Sequence, residues 1–336
     1  MRGWLVFALA ASLLAAFGAE AGCNLDTVAN IPIRVENGHI FIQGKIDTHP
    51  VDFLVDPGSR TILLRSAAEE YGIRPDKLLS LQESTLLGLA KDGGPAALDV
   101  EHLPIAIAGE LSNFGTPLEV AVLGMDFLSL YDVELDVEHR MLNLFRPTGC
   151  ERTNLAYWTR RFSVADMVPN INSINVPPYN AYNYPHVNFH LTVNGREMLA
   201  ALEPGFINTS LSFAAAATIG VGKNDPGVTE VAATHDLMDS YVRRTWSGAF
   251  DSVKMDRESI SPAKIDMRTF EFPVGSIGVT TGTYLHRPRP TGEDVVIGSD
   301  FLLSHRVFIA YSQNKIYFSP SGNQPYLGGV PVLSPP

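Results

Sequence analysis

One pattern occurs twice along this chain of 336 residues, and a unit present twice builds a pseudo-symmetric structure with a seam between its copies. In the first copy Ile40-Phe41-Ile42-Gln43-Gly44-Lys45-Ile46 alternates in the manner of a strand, a turn follows at 47–50, and Val51-Asp52-Phe53-Leu54-Val55 runs into Asp56-Pro57-Gly58-Ser59. In the second, Val187-Asn188-Phe189-His190-Leu191-Thr192-Val193 alternates likewise. Asn194-Gly195 supplies a hairpin turn, and Met198-Leu199-Ala200-Ala201-Leu202 runs into Glu203-Pro204-Gly205-Phe206. An alanine-rich, helical-looking stretch ending in glycine comes next in each copy, at 66–72 and 213–220. Val122-Leu123-Gly124-Met125-Asp126-Phe127-Leu128 then matches Val296-Ile297-Gly298-Ser299-Asp300-Phe301-Leu302. The register holds without a gap to Met141-Leu142-Asn143-Leu144 and Lys315-Ile316-Tyr317-Phe318.

The chain around these copies reads as an exported, β-rich protein. Glycine at 28, proline at 23 and 17 phenylalanines favour many short strands with short helices over long helices, so an all-β class is expected. With 25 basic against 36 acidic residues the formal charge is -11, the wrong sign for gripping a polyphosphate backbone, and no nucleic-acid partner is expected. Arg2, the uncharged stretch 4–17 and the Ala19-Glu20-Ala21 cleavage pattern read as a signal peptide over residues 1–21. That stretch is too short to span a membrane. A lipid anchor at Cys23 is a minor alternative, because Glu20 stands where a lipoprotein signal wants leucine.

Cys23 and Cys150 are the two cysteines, and in an exported chain a bridge between them is favoured over two buried thiols. Neither has a cysteine or histidine at zinc-ligand spacing. The expected division is a first lobe over 22–150, a linker over 151–184 with Tyr157 and Trp158 packed on that lobe, a second lobe over 185–320, and an extended tail over 321–336.

Each copy resembles one lobe of the retropepsin-like aspartic proteases, and the two together resemble a single-chain, two-lobed member comparable in plan with pepsin. The resemblance covers nearly all of 30–320, strongly at the apolar-apolar-Gly signatures and less so at the acids. It implies tandem lobes with a cleft for an extended peptide, and it places Asp56 and Glu203 at the two catalytic positions. Two carboxyls a few ångströms apart share a proton, so one can draw a proton from water while the other gives one to the scissile carbonyl. No cofactor or metal is implied, the partner is a peptide or protein substrate, and the oligomeric state stays open, a monomer being compatible with the plan.

Both motifs depart from the family's Asp-Thr-Gly. Pro57 and Pro204 stand where the family has threonine, whose hydroxyl locks the base of the cleft, and proline offers neither hydroxyl nor N–H. Glu203 carries an extra methylene, and a displacement of that size can cost on the order of a hundredfold in rate. Two functional readings stay open: an exported aspartic-type endopeptidase, or a catalytically lapsed relative that binds a peptide or protein segment. A structural role in the envelope is a third, with no specific feature in its favour.

Other conspicuous residues have plainer readings. Asp126 and Asp300 are expected to cap the helices beginning with Phe-Leu. His186 and His190 are expected as surface or core histidines. The stretch 86–94 stands where the family carries its flap, although a plain loop fits as well, and no flap can be placed in 223–268. Asn208-Thr209-Ser210 is a glycosylation sequon. Metalloprotease, serine-hydrolase and phosphate-loop patterns are missing from the sequence.

Overall fold

The computed structural model describes residues 22–73, 79–89, 94–108, 120–168, 187–231, 244–268, 293–322, 325–329 and 331–334. The first half runs β1 (Asn24–Glu36), β2 (His39–Ile46), β3 (His49–Asp56), β4 (Ile62–Leu64), α1 (Arg65–Glu70), β5 (Leu79–Leu89), β6 (Pro95–Ala108), β7 (Val120–Gly124), α2 (Met125–Leu128), β8 (Asp132–Asp136), β9 (Met141–Thr148) and β10 (Ser163–Asp166). The second runs β11 (Asn188–Val193), β12 (Arg196–Leu202), β13 (Ser210–Ser212), α3 (Phe213–Thr218), β14 (Thr229–Val231), β15 (Thr245–Phe250), β16 (Val253–Met255), β17 (Glu258–Ile260) and β18 (Ala263–Arg268). It ends with β19 (Val295–Ile297), α4 (Ser299–Ser304), β20 (His305–Ala310), β21 (Lys315–Pro320) and β22 (Val332–Leu333).

Among the described residues the result is a largely β architecture of two sheets, one of 12 strands and one of 10. Strands win because apolar residues either alternate, as at the outer end of β2, or fill both faces, as in Phe53-Leu54-Val55 of β3. Asn194-Gly195 turns with both residues at positive φ, as its hairpin signal requires. Around each acid the strand order is the same: β2-β3-β7-β4-β6 in one sheet and β11-β12-β19-β13-β18 in the other. In both, the strand leading to the acid lies parallel to the strand ending at the Gly124 or Ile297-Gly298 signature.

The halves are not wound separately. β20 of the second half pairs antiparallel with β8 of the first, through Val307↔Leu135, Phe308↔Glu134 and Ile309↔Val133. β21 and then β10 extend the same sheet. Glu134, fully buried on β8, is satisfied across this seam by Arg306 at 2.9 Å, Asn143 at 2.7 Å and the Tyr157 hydroxyl at 2.8 Å. Arg306 also lies over the rings of Tyr157 and Trp158, and the Trp158 Nε1–H donates to Ser319 Oγ. Tyr157 and Trp158 therefore pack on the seam between the halves, not on the first lobe alone.

Two expected boundaries change. Within the supposed linker, Ser163–Asp166 is a strand and Met167 bridges to Phe189, because alternating Val164 and Phe162 cover the rim of the shared sheet. Residues 169–186 lie outside the described residues. The supposed tail is part of the second half's core: Tyr326 is buried against Phe301 and His305, and β22 pairs with β17.

Cys23 and Cys150 are bridged, tying the start of β1 to the chain just beyond its partner β9 across 127 residues of sequence. Replacing both by serine is expected to lower the unfolding free energy by about 2–5 kcal/mol, the range for a long closed loop, measured by urea denaturation.

Candidate functional site

Asp56 is the last residue of β3 and Glu203 the first after β12, so each acid leaves its sheet where the chain must turn. Proline at the next position holds each acid extended and starts the turn. The Ser59 N–H donates to the Asp56 carbonyl at 3.1 Å, and the Phe206 N–H to the Glu203 carbonyl at 3.0 Å. The Gly58 N–H also donates to Asp56 Oδ1 at 2.9 Å. Both acids are 3% exposed.

The two turns touch. A Cβ added to Gly58 would stand 2.6 Å from Glu203 Cγ and 2.6 Å from the Leu202 carbonyl, so only glycine allows the first turn to lie on the second. Tyr311, which follows β20, brings a buried hydroxyl from the second half into the electrostatic reach of Asp56. Burial and the Asp56 and Asp132 charges push that hydroxyl's pKa well above the phenol range. It has no hydrogen-bond partner among the described residues.

Behind each turn stands the same relay of hydrogen bonds. Thr61 donates through its N–H and Oγ1 to Asp126 Oδ1 at 2.9 and 2.6 Å, while its Oγ1 accepts the Gly124 N–H at 3.1 Å. Thr209 donates its N–H to Asp300 Oδ2 at 2.8 Å and its hydroxyl to Oδ1 at 2.7 Å. Its Oγ1 accepts the Gly298 N–H at 3.1 Å. Asp126 and Asp300 are therefore not N-caps. Gly124 and Gly298 hold those positions, and the carboxylates sit two residues further on, where they bond the threonine and the next N–H, Phe127 or Phe301. Desolvation raises the Asp126 pKa and pushes Asp300 up to about 6.

The sequon is engaged by the same relay: Thr209 is buried, and Asn208 Nδ2 donates to Asp266 Oδ2 at 3.2 Å. His190 lies at the surface near Glu197, and His186 lies outside the described residues. The candidate flap is an arm of the β5–β6 hairpin, whose closing pair Leu89↔Pro95 sits by Asn30 in the middle of β1, away from the Asp56 end of β3. The turn itself, 90–93, is outside the described residues. No group of three metal-ligating side chains is present among the described residues.

Local sequence pattern does not reveal these roles for Thr61, Thr209, Tyr311 and His39. The threonines carry a signal, since each stands a few residues after an acid and just before a three-residue strand with leucine at its centre. His39 is 4% exposed, and its imidazole bonds the carbonyl of Pro204 from the other half.

Two outcomes follow from the relay. Thr209→Val is expected to cost about 1–3 kcal/mol, because the Gly298 N–H and the Asp300 carboxylate lose a buried partner; chemical denaturation measures it. A carboxyl whose folded pKa is raised binds its proton more readily in the folded state, so its contribution to stability is present at low pH and lost as pH rises from about 4 to about 6. Asp300→Asn is expected to remove that loss, of up to about 3 kcal/mol, from unfolding curves taken across the same range. Equal slopes for the two proteins would show that Asp300 titrates normally.

No protein-family model matches the sequence, and no curated protein matches it. Among solved structures the fold is similar to basic 7S globulin from soybean, with 10% identity, a TM-score of 0.45, and coverage of 89% of this chain and 96% of that one. It is also similar to edgp, with 10% identity, a TM-score of 0.46, and coverage of 87% and 94%. A retropepsin-like aspartic protease from Rickettsia conorii aligns with 38% of this chain and 94% of its own, at 17% identity and a TM-score of 0.23. Among the described residues the chain has a largely β architecture of two sheets.

Proposed function

We propose that this chain is an exported peptide- or protein-binding module of aspartic-protease-like architecture, which holds an extended segment between its halves without cleaving it. The observation that carries this reading is the use made of Glu203. Its stem is packed on Gly58 in a position 3% exposed, so the longer side chain of the second acid occupies the space between the turns. Proline at both following positions removes the hydroxyls that would tie two short aspartates into a catalytic pair. The Thr61–Asp126 and Thr209–Asp300 bonds behind the turns keep the seam between the halves in shape.

One observation favours aspartic-type peptide hydrolysis as a second reading: the turns that carry Asp56 and Glu203 are in contact. In that case Asp56 and Glu203 would share a proton and activate water.

Anisotropy of labelled unstructured peptides, with product analysis from about pH 3 to 7, separates the two. The binding reading expects saturable binding without products, retained in Asp56→Asn. Products that disappear in Asp56→Asn, and increase in the triple variant Pro57→Thr, Glu203→Asp, Pro204→Thr, would replace it with the peptidase.

A further inference from the structure

The tip of the first-half hairpin is pressed onto the second half just beyond Glu203. Ser299 Oγ donates to the Gly38 carbonyl at 2.6 Å. Gly38 has φ +83°, and a Cβ there would stand 2.9 Å from Ile207 Cγ2. The next residue, His39, is buried and donates from its imidazole to the carbonyl of Pro204, while Nδ1 is enclosed without a hydrogen-bond partner among the described residues. Continuing the β2–β3 register from Phe41↔Leu54 brings His39 level with Asp56 on the same face of the sheet. One imidazole thus stands level with the first acid and is bonded to the turn of the second.

We propose that His39 is a positioning residue of the cleft: its neutral imidazole clamps the Glu203-Pro204-Gly205 turn onto the first half, and its protonation loosens that clamp. This rests on the reading of the cleft as the binding site. The neutral ring, protonated on Nε2, makes the bond to Pro204 and leaves Nδ1 as a lone pair. A second proton would put a charged N–H on Nδ1 where nothing described accepts it. The charged groups on the elements packed against it are Glu36, its cross-strand partner on β1, which is paired with Arg34 at 2.9 Å; Asp56 on β3; and Glu203 beside Pro204. Desolvation outweighs the bond to Pro204, which by itself favours the charged ring, and lowers the His39 pKa. A depressed imidazole pKa means that the clamp is complete above the ordinary histidine range and weakens as pH falls below it.

The test is amide hydrogen exchange at Phe206, whose N–H bonds the Glu203 carbonyl, expressed as protection over the unstructured rate in wild type, His39→Gln and His39→Leu. Glutamine keeps a donor where Nε2 stands and cannot be protonated. At about pH 7.5, His39→Gln is expected to match wild type and His39→Leu to lose about tenfold in protection. Between about pH 7.5 and about pH 5.5 wild type is expected to lose protection while His39→Gln keeps it. A His39→Leu protein as protected as wild type, or a His39→Gln protein that loses protection on acidification as wild type does, overturns the proposal. If His39→Leu fails to fold, the comparison of wild type with His39→Gln across pH decides alone. Peptide affinity measured on the same samples tests the other reading: these protection changes without any peptide binding would uphold the clamp and refute the binding module.

Discussion

The antiparallel pairing of β8 with β20 is the constraint on which the rest depends, because it makes one sheet out of strands from both halves. A sheet is stiff along its hydrogen-bonding direction, so the two acid turns stand in a fixed relation instead of swinging on a linker. The pairing buries Glu134, and burial of a carboxylate is tolerable only when its lone pairs are filled. Arg306, Asn143 and Tyr157 fill them, drawing side chains from the second half, from β9 and from the segment after the disulfide into one network.

From that seam the order propagates inward through the threonine relays. Each joins the loop after an acid to the start of a short helix by bonds that solvent does not compete for. The second half adds the Tyr326 hydroxyl, 3.1 Å from Thr209 Oγ1, which makes the C-terminal segment a support of the second turn. The first half has no such addition among its described residues, and Asp126 Oδ2 is left without a partner there. The two halves therefore share a plan and differ in how firmly each acid is backed.

At the contact between turns the chemistry departs furthest from a symmetric carboxyl pair. The prolines stiffen both turns but contribute no donors, and the longer side chain of Glu203 takes up space against Gly58. The hairpin tip at Gly38 and His39 adds contacts from the first half to the second beside that point.

The sequence by itself determined the strands, the hairpin turns and the positions of both acids, because these follow from local alternation, from Asn-Gly and Asp-Pro-Gly chemistry, and from a repeat that can be laid over itself. It also determined that Asp126 and Asp300 serve structure; their partners were hidden, since Thr61 and Asp126 meet across a fold and not along a helix. The parts that local pattern misplaced are those whose burial comes from the far half. Ser163–Asp166 reads as linker until β21 lies beside it, and Tyr326 sits in a proline- and glycine-rich stretch that has nothing to bury against in sequence. His39 is a lone histidine at a turn, and only the approach of Pro204 gives it a role. Tertiary structure decided these cases because a contact between distant residues depends on the path of the whole chain, which no window of neighbouring residues contains.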